Sequence, residues 1–168
     1  MRVHVLCRNY QEDRVIPRHA RALAERLGWG LGASPDPSAD VVYLLSYFEI
    51  QKLGRWPRKQ LIAANFTHRE EEPPGNAKAK LFDDVARRVQ LRTAWAQMYV
   101  DLLTPYGPTV KVSPALERDH FIPLARAITK RPVVGFSGYT YANHRKGEDL
   151  VNGIVASPIG QKVDWRAS

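Results

Sequence analysis

The pattern of apolar and polar residues predicts a strand, a helix and two further strands at the start of the chain. Residues 2–7 alternate between the two classes and favour a first strand. A helix is expected to begin near Pro17 and to end at Gly28. Residues 40–45 and 60–66 are continuous apolar runs, which are typical of strands buried on both faces of a parallel sheet. The apolar face of the helix consists of Ala20, Leu23, Ala24 and Leu27.

Residues 81–103 have a helical periodicity throughout, yet we predict two helices with a strand between them. Residues 89–93 alternate as a strand does, and Thr93 is a suitable N-cap for the second helix. Asn76 is the predicted N-cap of the first helix. Residues 109–112 then favour another short strand.

A new strand–helix–strand pattern begins near Arg131. Residues 133–137 favour a strand, 147–155 a helix and 161–165 a further strand. We therefore expect two domains, residues 1–128 and 129–168, the second being an incomplete βαβ unit. Strands that alternate with helices predict an α/β fold, here a Rossmann-like parallel sheet with helices on both faces.

The composition indicates a globular protein with a basic surface. Of the 168 residues, 44% are hydrophobic and 25% are charged, which is typical of a folded domain. The formal net charge is +8, which favours anionic partners. Because no block of five or six like charges occurs, a solvated basic surface is favoured over a dedicated nucleic-acid face. Cys7 is the single cysteine and no signal-peptide pattern is present, so we expect a cytoplasmic protein that could associate with the membrane periphery.

Two of the predicted loops at the carboxyl ends of the strands, where parallel sheets bind ligands, carry candidate residues. The loop 8–14 has no glycine, which excludes a nicotinamide or flavin fingerprint there. Arg8, Asn9 and Arg14 are candidates for contacts with a substrate, although ordinary polar loop residues are the favoured interpretation. His68 in the second loop can donate or accept a proton near neutrality; a surface histidine is an equally good interpretation.

The third loop has features of a phosphate site. Gly138 permits a tight turn or a close backbone approach. Arg145 and Lys146 place two cations beside a predicted helix N-terminus, where a diphosphate would be stabilised. The loop is not a Walker sequence, and a turn with solvated charges is the alternative. The histidines and Cys7 have no metal-ligand spacing, so no metal is expected.

Three segments, in their order and spacing, carry a resemblance to a known family. Residues 62–68 (IAANFTH) are similar to a strand that leads to an active-site histidine, and residues 116–123 (LERDHFIP) to an interdomain segment. Residues 131–138 (RPVVGFSG), followed by 145–147 (RKG), are similar to the first strand and loop of a sugar-nucleotide domain. The chain thus resembles the GT-B-fold glycosyltransferases, in particular the retaining group with bacterial mannosyltransferases and glycogen synthases.

This resemblance implies that a sugar is transferred from a nucleotide-sugar donor to an acceptor bound by the N-terminal domain. It implies that His68 contacts the sugar near the reaction centre and that Gly138 and Lys146 bind the donor diphosphate. The family usually has arginine directly after that glycine, where this chain has Tyr139. Arg145 is then the candidate for the missing charge.

The resemblance also sets expectations about activity and partners. The family's acidic pair, which binds the donor sugar and ribose, lies downstream of any residue present, so we expect a truncated form that is inactive alone. No cofactor or metal is expected beyond the nucleotide-sugar, and the incomplete unit could swap into a second copy. The alternative function is a small basic Rossmann-like module that binds nucleic acid or an acidic partner.

Overall fold

The computed structural model describes residues 1–56, 59–69, 76–114, 131–136 and 148–167. The chain divides into two compact units, Met1–Phe121 and Ile122–Ser168, here called unit 1 and unit 2. Three predicted site residues, Gly138, Arg145 and Lys146, lie outside the described residues.

Unit 1 is built on a parallel sheet. Its strands are β1 (Val3–Leu6), β2 (Gly30–Gly32), β3 (Val41–Leu44), β4 (Leu61–Phe66), β5 (Leu91–Ala94) and β6 (Thr109–Lys111). Its longer helices are α1 (Val15–Leu27), α2 (Ala77–Arg88) and α3 (Gln97–Leu103), and 3₁₀ helices cover Tyr47–Lys52 and Thr104–Tyr106. All five strand pairs are parallel, in the order β2-β1-β3-β4-β5-β6. This is the Rossmann-like α/β fold predicted from the sequence.

The strand order determines which face of the sheet each connection covers. Parallel strands are joined by right-handed crossovers, so connections that run in opposite directions along the sheet pack on opposite faces. α1 runs from β1 towards the β2 edge and packs on a core that includes Val5 and Leu45. The connections from β3 to β6 run the other way, and α2 packs on the opposite core, which includes Ile62 and Phe66. The predicted helices on both faces are therefore confirmed.

An aromatic cluster fills the larger of these two cores. Tyr47, Phe66 and Phe82 are fully buried, and the ring centroids of Phe66 and Phe82 lie 4.9 Å apart. Tyr47 stacks nearly parallel on Phe66 at 5.4 Å. Aromatic pairs in such geometry stabilise a fold beyond the area that they bury. The cluster therefore anchors the Tyr47–Lys52 3₁₀ helix, and the residues that it carries, against the sheet.

The face that bears α1 is covered only in part. On this face Leu61 of β4 is 55% exposed and Val110 of β6 is 48% exposed, whereas Ile62 on the opposite face is fully buried. The expectation that the apolar run of β3 is buried on both faces is wrong as well, because Val41 and Tyr43 are only partly buried. The cause is topological, since α1 is the one described helix that the strand order directs to this face.

Local signals located most helix ends correctly. α1 ends at Gly28, whose φ of 64° is in the left-handed region that favours glycine. Asn76 caps α2, because its side-chain oxygen accepts a hydrogen bond of 2.8 Å from the Ala79 N–H. The split of 81–103 into two helices with a strand between them is confirmed. The predicted cap at Thr93 is wrong: Thr93 lies within β5 and is 5% exposed.

Unit 2 contains a βαβ arrangement. Its elements are β7 (Val133–Phe136), α4 (Glu148–Ala156), a 3₁₀ helix over Gly160–Lys162, and β8 (Asp164–Ala167), which is parallel to β7. The last strand begins later than the predicted 161–165, because the 3₁₀ helix occupies the first of those residues. Among the described residues, none of the helices is both long enough and apolar enough to cross a membrane.

Candidate functional site

The carboxyl edge of the unit 1 sheet contains the position where a ligand site is expected. β1 lies between β2 and β3, and the chain leaves β1 and β3 towards opposite faces of the sheet. Open parallel sheets bind ligands in the crevice that opens at such a switch point. We call this region, formed by the residues that follow β1, β3 and β4, the switch-point crevice.

The loop after β1 places Arg8, Asn9 and Arg14 at this edge. Arg8 and Asn9 are exposed, and the Arg8 backbone N–H donates a 3.2 Å hydrogen bond to Glu49 Oε2. Arg14 is the N-cap residue of α1, and its side chain forms a 3.1 Å ion pair with Glu12. Arg8 and Asn9 therefore present free surface to the crevice, whereas Arg14 is already engaged within its own loop.

Glu49 is the most distinctive group of the crevice. It lies in the 3₁₀ helix after β3 and is half-buried. Burial raises the pKa of the Glu49 carboxyl, and the hydrogen bond from Arg8 and the charges of Arg8 and Lys52 lower it by less. A carboxyl group with a raised pKa in a cleft is a candidate proton acceptor and functional residue. Glu49 was not predicted from the sequence.

Cys7, at the base of the same crevice, is not suited to nucleophilic chemistry. Its side chain is 2% exposed, and burial, together with the nearby Glu49 charge, raises the pKa of the Cys7 thiol. A neutral thiol that substrate cannot reach is inert. Glu49 is therefore the group of this pair that could react or bind a substrate.

His68 lies at the same edge, after β4. It is exposed, and its Nδ1 is 3.3 Å from Thr67 Oγ1. The Tyr47 hydroxyl donates to the His68 backbone carbonyl at 3.3 Å, which ties the loop to the buried aromatic cluster. Because β3 separates β4 from β1, the strand ends that carry His68 and Arg8 are about 10 Å apart. One ligand of moderate size could contact both residues.

The next residue, Arg69, has a structural role. Its guanidinium forms two hydrogen bonds with the Asp83 carboxylate of α2, at 3.0 and 2.8 Å. Arg69 lowers the pKa of the Asp83 carboxyl, mainly through its hydrogen bonds and to a smaller extent through its charge. This bidentate pair attaches Arg69, the residue after His68, to α2. His68 is therefore held between this attachment and the end of β4.

The open part of the α1 face forms a separate apolar groove. Its volume is about 560 Å³, and it is lined by strands β3 to β6 on its floor and by α1 at one side. The hydroxyls of Tyr43 and Thr93 are 2.9 Å apart, and Thr93 lies 3.3 Å from Asn65 Oδ1. His19 and Trp95 pack edge to face at 5.2 Å. No acidic side chain, arginine, lysine or cysteine of the described residues lines this groove, so its polar groups there are the His19 imidazole and neutral side chains such as those of Tyr43 and Thr93.

The residues that the structure describes form no candidate metal site. No group of three or more histidine, cysteine, aspartate or glutamate side chains is placed to hold an ion there. The described residues of the switch-point crevice offer hydrogen bonding, proton acceptance by Glu49 and electrostatic attraction by Arg8.

Comparison with known proteins adds no assignment to this geometry. No protein-family model, curated protein or solved structure gives a significant match to the chain.

Proposed function

We propose that this chain belongs to a glycosyltransferase and that unit 1 binds the acceptor of the sugar. The half-buried carboxyl of Glu49 at the switch point, with its raised pKa, is the observation that carries the proposal. The order of the sequence segments that resemble GT-B enzymes supports it independently. Both lines lead to the same edge of the sheet, where Arg8, Asn9 and His68 also lie.

Sugar transfer needs groups of these types. The acceptor hydroxyl forms a bond to the anomeric carbon and loses its proton, while the bond from that carbon to the diphosphate breaks. Glu49 accepts a hydrogen bond from the attacking hydroxyl and makes that oxygen more nucleophilic. His68 and Asn9 orient neighbouring hydroxyls. Arg8 attracts an acceptor that carries a negative charge.

The donor side of the proposal rests on the resemblance alone. Lys146 and Arg145 would neutralise the charge that develops on the leaving diphosphate, and the backbone at Gly138 would approach its oxygens. These three residues lie outside the described part of the chain. Their role can be tested without any geometry, through the affinity for a nucleotide-sugar.

The acceptor side can be tested by NMR on the ¹⁵N-labelled 168-residue chain, titrated with a panel of mono- and disaccharides. We expect the amide signals of Arg8, Asn9, Glu49 and His68 to shift together with at least one sugar. Glu49→Gln should weaken this binding about tenfold, the equivalent of one hydrogen bond to a charged group. Glu25→Gln, on the exposed surface of α1, is the matched control. Shifts confined to other surfaces, or none with any sugar, would refute an acceptor site in the crevice.

The donor side needs a separate measurement. UDP-glucose and GDP-mannose are the probes, and Lys146→Gln is expected to weaken the binding of at least one of them. Lys111→Gln removes an exposed lysine of β6 as the control. If neither nucleotide-sugar binds, or if both substitutions have the same effect, the donor assignment fails while the acceptor site remains open to its own test.

A further inference from the structure

A cationic surface around Trp56 lies at the amino edge of the unit 1 sheet, away from the switch-point crevice. We call it the Trp56 patch and define it by Arg55, Trp56, Lys59, Arg87 and Arg88. Lys59 lies two residues before β4 begins, and Arg87 and Arg88 end α2 shortly before β5 begins. Because strands of a parallel sheet all start at one edge, these residues belong to the edge opposite to the crevice.

A cation–π contact joins two members of this patch. The Arg88 guanidinium lies 4.1 Å above the centre of the Trp56 ring, and Arg88 also pairs with Asp84 at 3.1 Å. Trp56 itself packs against the larger core of the unit. Lys59 is three residues further along the chain, so its Cα lies at most about 11 Å from that of Trp56.

The cations of the patch exceed what the fold requires. Arg87 and Arg88 are in the last turn of α2, where positive charge stabilises the helix dipole. Arg55 and Lys59 lie outside any helix and are exposed. Within the described residues, none of Arg55, Lys59 and Arg87 forms an ion pair. The exposed Arg87 guanidinium lies 5.7 Å from the centre of the Tyr106 ring, so it already has an aromatic partner. Arg55 and Lys59 are therefore the two cations of the patch whose side chains no contact within the described residues explains.

The state of Trp56 distinguishes between anionic partners. A nucleic acid base would stack on a free ring face, but here Arg88 covers one face and the indole packs on the core. The indole N–H donates to no described residue, and the side chain is only partly buried. A tryptophan that is anchored on its apolar side and open to water at its polar edge is typical of a membrane–water interface.

We propose that the Trp56 patch binds an anionic membrane surface, with Arg55, Lys59 and Arg87 attracted to lipid phosphates and the Trp56 edge placed among the headgroups. Each such cation near an anionic surface strengthens binding about fivefold. Docking through this edge leaves the opposite, carboxyl edge open to solvent. The inference does not depend on the proposed function of the crevice.

Co-sedimentation of the full chain with vesicles tests this proposal. The vesicles are phosphatidylcholine alone, or phosphatidylcholine with about one-third phosphatidylglycerol, at low and at physiological ionic strength. We expect binding to the anionic vesicles only, and weaker binding as salt increases. The triple variant Arg55→Gln, Lys59→Gln, Arg87→Gln should lower the partition coefficient about 100-fold.

The matched control removes three exposed lysines near the carboxyl edge of the same sheet, by Lys78→Gln, Lys80→Gln and Lys111→Gln, and has the same net charge. It should lower binding by less than about tenfold, since charges beyond a Debye length are screened. Trp56→Phe keeps an aromatic ring beneath Arg88 and should abolish the blue shift of tryptophan emission on vesicle binding. Circular dichroism checks that each variant is folded, and the pair Arg55→Gln, Lys59→Gln, with an expected loss of about 25-fold, replaces the triple variant if that does not fold.

Three results would overturn the proposal. One is an absence of binding to anionic vesicles at low salt. The second is an equal loss in the patch variant and in the control, which would make net charge the whole effect. The third is tighter binding of a short DNA duplex or single strand than of the vesicles, with the same dependence on the patch, which would assign the surface to nucleic acid.

Discussion

The buried guanidinium of Arg92 offers a stringent test of the packing of unit 1. Arg92 is 2% exposed, and its Nε and Nη2 donate to the carbonyls of Ala86 and Val89 at 2.6 and 2.7 Å. These carbonyls belong to the end of α2, where backbone acceptors lack partners within the helix. Arg92 thus caps α2 from the neighbouring strand. The change to be made is Arg92→Met, which keeps an unbranched side chain as far as the position of Nε and removes the guanidinium with its donors and its charge.

Two effects oppose each other in this variant. Loss of the donors leaves two buried carbonyls unsatisfied, at about 1–3 kcal/mol each. Against this, methionine no longer has to bury a charged group, and that burial is costly enough to lower the pKa of Arg92. Because the two hydrogen bonds are short and charge-assisted, we expect the loss to dominate, with a net destabilisation of about 2–4 kcal/mol.

Urea unfolding followed by circular dichroism measures the effect as a change in the midpoint at constant slope. Arg26→Met is the control, because Arg26 acts at a helix C-terminus, the last turn of α1, but is exposed. It should cost no more than about 1 kcal/mol, the usual range for a charge at a helix C-terminus. If Arg92→Met is as stable as the unmodified chain, or no less stable than Arg26→Met, then the reasoning that carbonyl satisfaction outweighs desolvation is refuted.

Three further substitutions can be followed by the same unfolding assay. Glu49→Gln should raise the free energy of unfolding at neutral pH, because an ionised carboxyl whose folded pKa is raised destabilises the native state. This gain should vanish below about pH 4, where the unfolded state also binds the proton. A gain that persists in acid would contradict this origin. Asp83→Asn should lower the free energy of unfolding, since Arg69 lowers the pKa of the Asp83 carboxyl and so stabilises its ionised form in the native state. The whole loss should be seen above about pH 4, and the loss should shrink as the pH falls through the folded pKa. Gly30→Ala should cost about 1–3 kcal/mol, because its Cβ would lie 2.8 Å from Nδ1 of the buried His4 ring; unchanged stability would show that the ring can move aside.

The sequence predicted a structural feature correctly where the physical cause of that feature is local. The left-handed residue at Gly28 and the capping oxygen of Asn76 act within four residues of their own positions. The parallel sheet followed from alternating strands and helices for a similar reason, since each βα step is a short-range pattern. Thr93 shows the limit of such reasoning. Its side chain is a good cap by type, but it meets the Tyr43 hydroxyl, 50 residues away, within the sheet.

The candidate site was accessible from the sequence only in part. Arg8, Asn9 and His68 could be placed at one edge because each follows a strand, and strands of a parallel sheet end together. Glu49 could not, because its significance depends on the Arg8 backbone N–H, 41 residues away. The strand order that brings β1 beside β3 creates this contact, and no local sequence pattern around Glu49 indicates it. The open α1 face escaped prediction for the same reason, since the direction of each crossover is a property of the whole sheet.

Four polar side chains of unit 1 differ in how far the fold explains them. Arg92 satisfies the carbonyls of α2, and Asp83 is held by Arg69. The Thr93 hydroxyl has partners within the sheet. Glu49 accepts one backbone hydrogen bond, yet burial still dominates its pKa. A carboxyl kept at a net cost to stability, at the switch point of a parallel sheet, is what a binding or catalytic role would maintain, because selection for stability alone would favour its neutral amide.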